Sequence, residues 1–555
     1  MAGGRLGSDP DQNSLRLLPS GPDRVGEKPV RPNLPRPISA IGVRIASEKG
    51  AVRARFLDRC NAPAYSDFLL LRGAGEMTDK STDQASTNSL PVTTTPPGLS
   101  PDKSPWREEL AATFKLALPI ALTQLSTIAL NTTDVIMLGW LGPEPLAAAS
   151  LASNLLFPAQ FVGVSVLAAL SPLFAQALGA RQFRGVRRTA RQGFWAAITL
   201  FIPFAIYLAF SHEILLLLGQ HESISGDAEI YISIALWALL PNFAFIVLRN
   251  FISAHSRPRS ALVVVLIGIV LNALIDYVLI FGKFGFPELG LFGAALATTL
   301  VQSLMFLMLL AYVLRDRRFR RYYILARFWR PDWPRYREIF TVGIPIGLTT
   351  LAETGLFSAT GLMVGLFGVQ ALAGHAVALQ FGAISFMIPL GISQAATVRI
   401  GLAVGAQRYQ NIGPAGWSAI GIGAVVMTTA ALLFWLIPET LSGLILDRGN
   451  PANTEALGYA VSFLGVAALF QYADGGQAIA LGCLRGMKDT RMPLVIAVIG
   501  YWVFGMGAAV WLGFYTDLQG VGVWLGLVAG LLVVAVALTW RFQGRGRFID
   551  PKFAP

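Results

Sequence analysis

The stretch LPIALTQLSTIALNTTDVIMLG, residues 118–139, decides how this chain is read. As an α-helix it is about 33 Å long, enough to cross the roughly 30 Å apolar core of a bilayer. One carboxylate, Asp134, sits in it with no basic neighbour. A related stretch, IPIGLTTLAETGLFSATGLMVG, follows at residues 344–365. A single constant shift in numbering superposes Pro119-Ile120 on Pro345-Ile346, Leu122-Thr123 on Leu348-Thr349, Met137 on Met363 and Gly142 on Gly368. The same shift carries Gly179-Ala180 onto Gly405-Ala406. Further on, a slightly larger shift superposes Leu248-Arg249 on Leu484-Arg485, the extra ten residues falling near Pro438 to Asn453. One offset held across two spans and their loops, with a second matching segment beyond it, marks a chain built from two homologous halves.

The rest of the chain has the same character. Of 555 residues, 54% are hydrophobic and only 14% charged, and the mean hydropathy of +0.56 is far above that of a soluble domain. Long apolar runs fall at about 112–138, 146–178, 190–210, 229–249, 261–281, 290–314, 339–366, 371–402, 416–437, 456–484, 493–513 and 519–540. The expected fold is therefore an all-α integral membrane protein with twelve transmembrane helices in two six-helix bundles. The bundles are expected at 105–314 and 338–541, joined by a basic linker at 315–337 and followed by a tail at 542–555. Residues 1–104 are rich in Pro, Ser, Thr and Arg, lack a long apolar run and read as a disordered tail. Their one apolar patch, Phe68 to Leu71, is too short for a secretory signal. Met77, preceded by Gly73-Ala74-Gly75-Glu76, is an alternative translation start.

The net charge of +12 is a matter of topology rather than of nucleic-acid binding. Alternate loops, beginning after the second span, together with the C-terminal segment, hold 26 Arg and Lys residues, nine of them between Arg315 and Arg337. The intervening loops hold only Lys283 and Arg448. The positive-inside rule places both termini in the cytoplasm, and six spans per half give both halves the same orientation. The two cysteines, Cys60 and Cys483, exclude a disulfide framework and a zinc site. No catalytic constellation is present, and neither an enzyme nor a cofactor is expected.

Four carboxylates lie within the spans, Asp134, Asp276, Glu353 and Asp474, with no Lys, Arg or His at similar depth. Inserting four such groups costs on the order of 10 kcal/mol. A buried carboxylate relieves that cost by holding a proton, a metal cation or an organic cation, and all three are transport chemistry. Helical spacing aligns Thr127, Asn131 and Asp134 on the first span, and Asn272 with Asp276 on the fifth. These groups suit one oxygen-rich site for a proton or Na⁺. In the second half Thr349, Glu353 and Thr360 align on span seven, and Gln471, Asp474 and Gln477 on span ten, giving a second polar site. The plain alternative for each acid is a structural hydrogen bond. All four histidines, His212, His221, His255 and His375, read as loop or span-end residues, which argues against a buried histidine relay.

Asp134-Val135-Ile136-Met137-Leu138-Gly139 followed by Gly142 and Leu146-Ala147-Ala148 resembles the first helix and loop of the multidrug and toxic compound extrusion (MATE) family. So does its counterpart, Pro345-Ile346-Gly347 with Glu353, Gly365, Gly368 and Leu372-Ala373-Gly374-His375. Asp474-Gly475-Gly476-Gln477 leading to Gly482-Cys483-Leu484-Arg485-Gly486-Met487-Lys488-Asp489-Thr490-Arg491 is similar to the tenth helix of the bacterial NorM-like branch. The resemblance, which runs from Trp106 to about Arg541, implies a multi-pass antiporter of the bacterial inner membrane. It implies export of cationic or amphiphilic drugs in exchange for Na⁺ or H⁺, and a monomer whose partners are small molecules and membrane lipids. Residue by residue it implies cation or proton coupling at Asp134 with Asn272, Asp276 and Thr298, and a second pair at Glu353 and Asp474. Na⁺ would bind at one of these two sites. Many relatives carry Asn where this chain has Asp276. The alternative reading is a flippase for a lipid-linked substrate of the related exporter superfamily, which would need a cationic cavity. An intramembrane aspartyl protease lacks its motifs here, and a passive channel would ignore ion gradients.

Overall fold

The computed structural model describes residues 105–547. The expected tail at 1–104, the alternative start at Met77 and residues 548–555 lie outside the described residues. Among those described there is no strand, and twelve helices are long and apolar enough to cross a membrane. They are α1 Trp106–Leu141, α2 Pro143–Gly179, α3 Phe183–Ala209, α4 Glu222–Ala254, α5 Arg259–Phe281, α6 Gly290–Arg315, α7 Trp333–Gly365, α8 Val369–Gly405, α9 Tyr409–Leu436, α10 Pro451–Gly486, α11 Arg491–Phe514 and α12 Gln519–Gly546. In lipid a helix satisfies its own backbone hydrogen bonds, so each apolar run closes into one.

The sequence repeat is visible in local geometry. Gly142 precedes α2 with φ 137°, and Gly368 precedes α8 with φ 116°. The Thr123 hydroxyl donates to the Pro119 carbonyl at 2.7 Å, and the Thr349 hydroxyl to the Pro345 carbonyl at 2.8 Å. Just past α2 and α8, Arg181 and Gln407 take left-handed φ values of 55° and 56°. Each pair keeps the offset of the sequence repeat.

Several helices outrun their apolar cores, and this corrects the reading of His375. It lies two turns inside α8, 2% exposed, with its ring against Trp524. The basic linker is folded. After α6 a short helix at Arg317–Arg320 and the turn that follows it pack Phe319 and Tyr322 around His255 and Phe251. Asp332 then caps α7 and forms an ion pair with Arg188 of α3. The Arg188 guanidinium holds the Asp332 carboxyl below the usual carboxylate range.

Two apolar cores form, drawn mainly from the first and the second half. Two helices cross between them. The first part of α1, with Leu116, Ala117 and Ile120, is buried in the second-half core, whereas Leu130 and Leu138 belong to the first. Conversely, Ile339, Val342 and Ile346 of α7 pack on first-half residues, whereas Leu356 and Val364 join the second.

The halves meet in a seam on the side of the arginine-rich loops. Arg399 of α8 pairs with Glu109 of α1 at 2.5 Å, and Gln176 Nε2 of α2 donates to the Gly486 carbonyl of α10 at 2.9 Å. The ends of α2 and α8 touch backbone to backbone. A Cβ added to Gly405 would lie 2.0 Å from the Gln176 carbonyl oxygen, and one added to Gly391 would lie 2.6 Å from Ala121 Cα.

Candidate functional site

In the first half α1, α5 and α6 carry the polar groups. Asn272 and Asp276 are one turn apart on α5 and fully buried. The Asn272 side-chain amide donates one hydrogen bond to Asp134 Oδ1 and another to Asp276 Oδ2. Thr298 Oγ1 of α6 lies 3.4 Å from Asp134 Oδ2 and also donates to the Ala294 carbonyl. Thus Asp134, Asn272, Asp276 and Thr298 come together. Two buried oxygens in the cluster, Asn272 Oδ1 and Asp276 Oδ1, have no hydrogen-bond donor. Asp134 faces a cavity of about 290 Å³, also lined by Asn131, Asn154, Tyr231, Asn242 and Thr298. Asn131 is exposed on that cavity and does not join the carboxylate cluster. Thr127 turns back to its own helix, donating to the Thr123 carbonyl.

The second half repeats the device with different residues. Gln477 Nε2 donates to Glu353 Oε1 at 2.6 Å and reaches Asp474 Oδ1 at 3.4 Å. Its carbonyl oxygen accepts from the Tyr501 hydroxyl. Tyr501 is carried on a π-helical segment, Ile499–Gly505, inside α11. Gln471 belongs elsewhere, its Oε1 accepting from Ser385 of α8 at 2.9 Å. Three-residue steps drift by about 60° each on an α-helix, so Gln471 and Gln477 point about 120° apart. Thr349 and Thr360 likewise bond carbonyls of their own helix.

Each half therefore holds two carboxylates joined by one side-chain amide, whose two N–H donors serve both acids. None of the four carboxylates forms an ion pair among the described residues. No group of three His, Cys, Asp or Glu side chains able to hold a metal occurs among them either. The donor set is oxygen-only, the kind that takes a proton or a hard monovalent cation. The two unpartnered oxygens in the first half fit such an ion. In the second half Tyr501 already fills the amide oxygen, and this residue escaped the sequence reading. A tyrosine in a span reads as an interfacial anchor, and its inward aim follows from a π-turn that periodicity does not reveal.

The MatE family model matches residues 119–278 and 345–511, so the two matches begin at Pro119 and Pro345, the paired prolines of the repeat. The chain belongs to the MatE family. It is 44% identical over 448 residues to the probable multidrug resistance protein NorM of Mesorhizobium japonicum, covering 80% of this chain and 96% of that one. A protein of the same name from Brucella suis is 44% identical over 440 residues, covering 79% and 93%. Among solved structures, the eukaryotic MATE transporter AtDTX14 superposes with a TM-score of 0.71 at 21% identity, over 81% of this chain and 100% of that one. A multidrug resistance MATE transporter of the MOP superfamily in an outward-facing conformation gives 0.72 at 22% identity, over 80% and 97%. These likenesses establish the twelve-helix MATE fold of a multi-pass membrane protein.

Proposed function

We propose that this MatE-family chain is a secondary active multidrug efflux antiporter of the bacterial inner membrane. It exports cationic or amphiphilic drugs in exchange for H⁺ or Na⁺ by alternating access, with both termini in the cytoplasm. The observation that carries the reading is the first-half cluster, in which Asp134 and Asp276 share one amide and lack a cationic partner while Asp134 lines a cavity with Asn131, Asn154 and Asn242. The relatives named as multidrug resistance proteins support the substrate class.

In this reading the ion is a second substrate and no resident cofactor takes part. Ion binding at Asp134 and Asp276 and drug binding favour different conformations, so each displaces the other by linkage. The carboxylates select positive charge, and the scarcity of cations in the spans argues against a flippase for a lipid-linked anion. With the arginine-rich loops inside, the closed seam lies on the cytoplasmic side and the Asp134 cavity toward the opposite side. That arrangement is an outward-facing state.

The test is efflux of ethidium from cells lacking their own pumps, with Na⁺ and pH gradients imposed separately and Asp134→Asn run in parallel. Efflux driven by one gradient and abolished by the substitution is expected, and the effective gradient names the ion. No efflux under either gradient favours the flippase, and leakage indifferent to gradient and substitution favours a channel.

A further inference from the structure

Between α7 and α11 the exposed apolar surface is indented along much of its length. One cavity of about 500 Å³ is walled by Leu348, Leu351, Val495, Val498 and Trp502. One helical turn nearer the arginine-rich side lies another, of about 640 Å³, bordered by Tyr336, Phe340, Ile344, Arg337 and Arg491. The two cavities share helical stripes. Arg337, Thr341, Ile344, Leu348 and Leu351 follow one another on α7 at four- and three-residue steps, and Arg491, Val495, Val498 and Trp502 do the same on α11. Each stripe begins with an arginine and, Thr341 apart, continues apolar. From Arg337 to Leu351 the groove runs about 21 Å, more than the roughly 15 Å hydrocarbon depth of one leaflet.

The arginines are free while the acids around them are engaged. Glu338 takes Arg335 at 2.5 Å and Lys488 at 2.7 Å, and Asp489 takes Arg541 at 2.6 Å. Arg337 and Arg491 are exposed and have no hydrogen-bond or ion-pair partner among the described residues. At the far end the Trp502 indole donates to the Ala352 carbonyl at 3.2 Å and closes the groove. Exposed apolar residues are ordinary on a membrane protein. A concave apolar track headed by two unneutralised cations is complementary to an anion carrying an acyl chain.

We propose that this groove binds one anionic phospholipid of the leaflet on the arginine-rich side, its phosphate held by Arg337 and Arg491 and an acyl chain laid between α7 and α11 as far as Trp502. The lipid would bear on the second-half acids through α11, because Trp502 faces the groove and its neighbour Tyr501 bonds Gln477. This site is independent of which drug or ion the protein carries.

The experiment is native mass spectrometry of the detergent-purified full chain titrated with phosphatidylglycerol or phosphatidylcholine. Wild type is compared with Arg337→Gln/Arg491→Gln and, as a control for loss of charge alone, with Arg320→Gln/Arg330→Gln in the same basic loop. The first pair is expected to weaken retention of one phosphatidylglycerol about 25-fold, about fivefold for each arginine, and to leave phosphatidylcholine unchanged. An equal loss in the control pair, or none in either, overturns the site. Competition by free glycerol phosphate as strong as by the whole lipid would show that the acyl track contributes nothing, and would overturn it too. A second measurement needs no arginine variant. In vesicles of phosphatidylcholine carrying brominated chains on phosphatidylglycerol or on phosphatidylcholine at equal mole fraction, the fluorescence that Trp502→Phe removes should be quenched more by the brominated anionic lipid. Equal quenching by both refutes a preference for anionic lipid.

Discussion

Gly405→Ala tests whether the seam between the halves is a moving contact. The added methyl carbon would lie 2.0 Å from the Gln176 carbonyl oxygen, well inside the van der Waals separation of carbon and oxygen. The ends of α2 and α8 must therefore separate by about 1 Å, and overpacking of that kind costs about 1–3 kcal/mol. The cost falls on the state closed at the arginine-rich side, the one in which α2 and α8 touch. If the seam opens during transport, the substitution moves the equilibrium toward opening by about 5- to 150-fold. The assay is the distance between nitroxide labels at Gln182 and Arg408, exposed positions just beyond α2 and α8, after Cys60 and Cys483 are replaced. A new, longer distance population in Gly405→Ala is expected. A lowered thermal midpoint with an unchanged distance distribution would mean that the contact is fixed, and the gating argument would fail.

Three further outcomes follow from the same geometry. Glu109→Gln and Arg399→Gln each break a pair whose side chains are 11% and 26% exposed, costing about 1–2 kcal/mol, less than a fully buried pair. Each should lengthen the same label distance, and the exchange Glu109→Arg/Arg399→Glu should shorten it again. Gln477→Leu strips partners from Glu353, Asp474 and Tyr501; two of these bonds, to Glu353 on α7 and Tyr501 on α11, join helices, and at about 0.6 kcal/mol each in a membrane their loss should lower unfolding stability in detergent by about 1 kcal/mol while abolishing transport. An unchanged denaturation midpoint would refute the bridging role. Burial pushes the His255 imidazole down from 6.5 to about 4, so the folded chain keeps it neutral while the unfolded chain takes up a proton. Its contribution to stability is complete above pH 6.5 and declines as pH falls toward 4. In His255→Phe the slope of thermal midpoint against pH in that window should flatten, and an identical slope would exclude this group as its source.

The helices were legible because lipid leaves an apolar segment few alternatives to a helix, and the repeat because matched prolines, glycines and caps recur at one constant offset. The acids were legible as uncompensated charges. What the sequence hid was aim. Gln471 shares a three-residue spacing with Asp474, yet accumulated rotation turns it to Ser385 on α8. Tyr501 points inward only because a π-turn resets the register of α11. His375 read as a span end because α8 continues beyond its apolar run, and burial there comes from Trp524, four helices further along the chain. Such features depend on what the neighbouring helix presents.

The crossing of α1 and α7 bears on how the chain is made. Ala121 leaves the ribosome well before Gly391, its neighbour in the seam, with the rest of the first half made in between. At about 5–20 residues per second the first part of α1 waits roughly 14 to 54 s for its partner. During that time Glu109 has no Arg399, and α1 must be held by lipid or by the insertion machinery. Neither half can complete its own core alone, since each lends the opening turns of its first helix to the other. The two halves thus trade the opening turns of their first helices as the protomers of a domain-swapped dimer do, with one covalent linker holding them together.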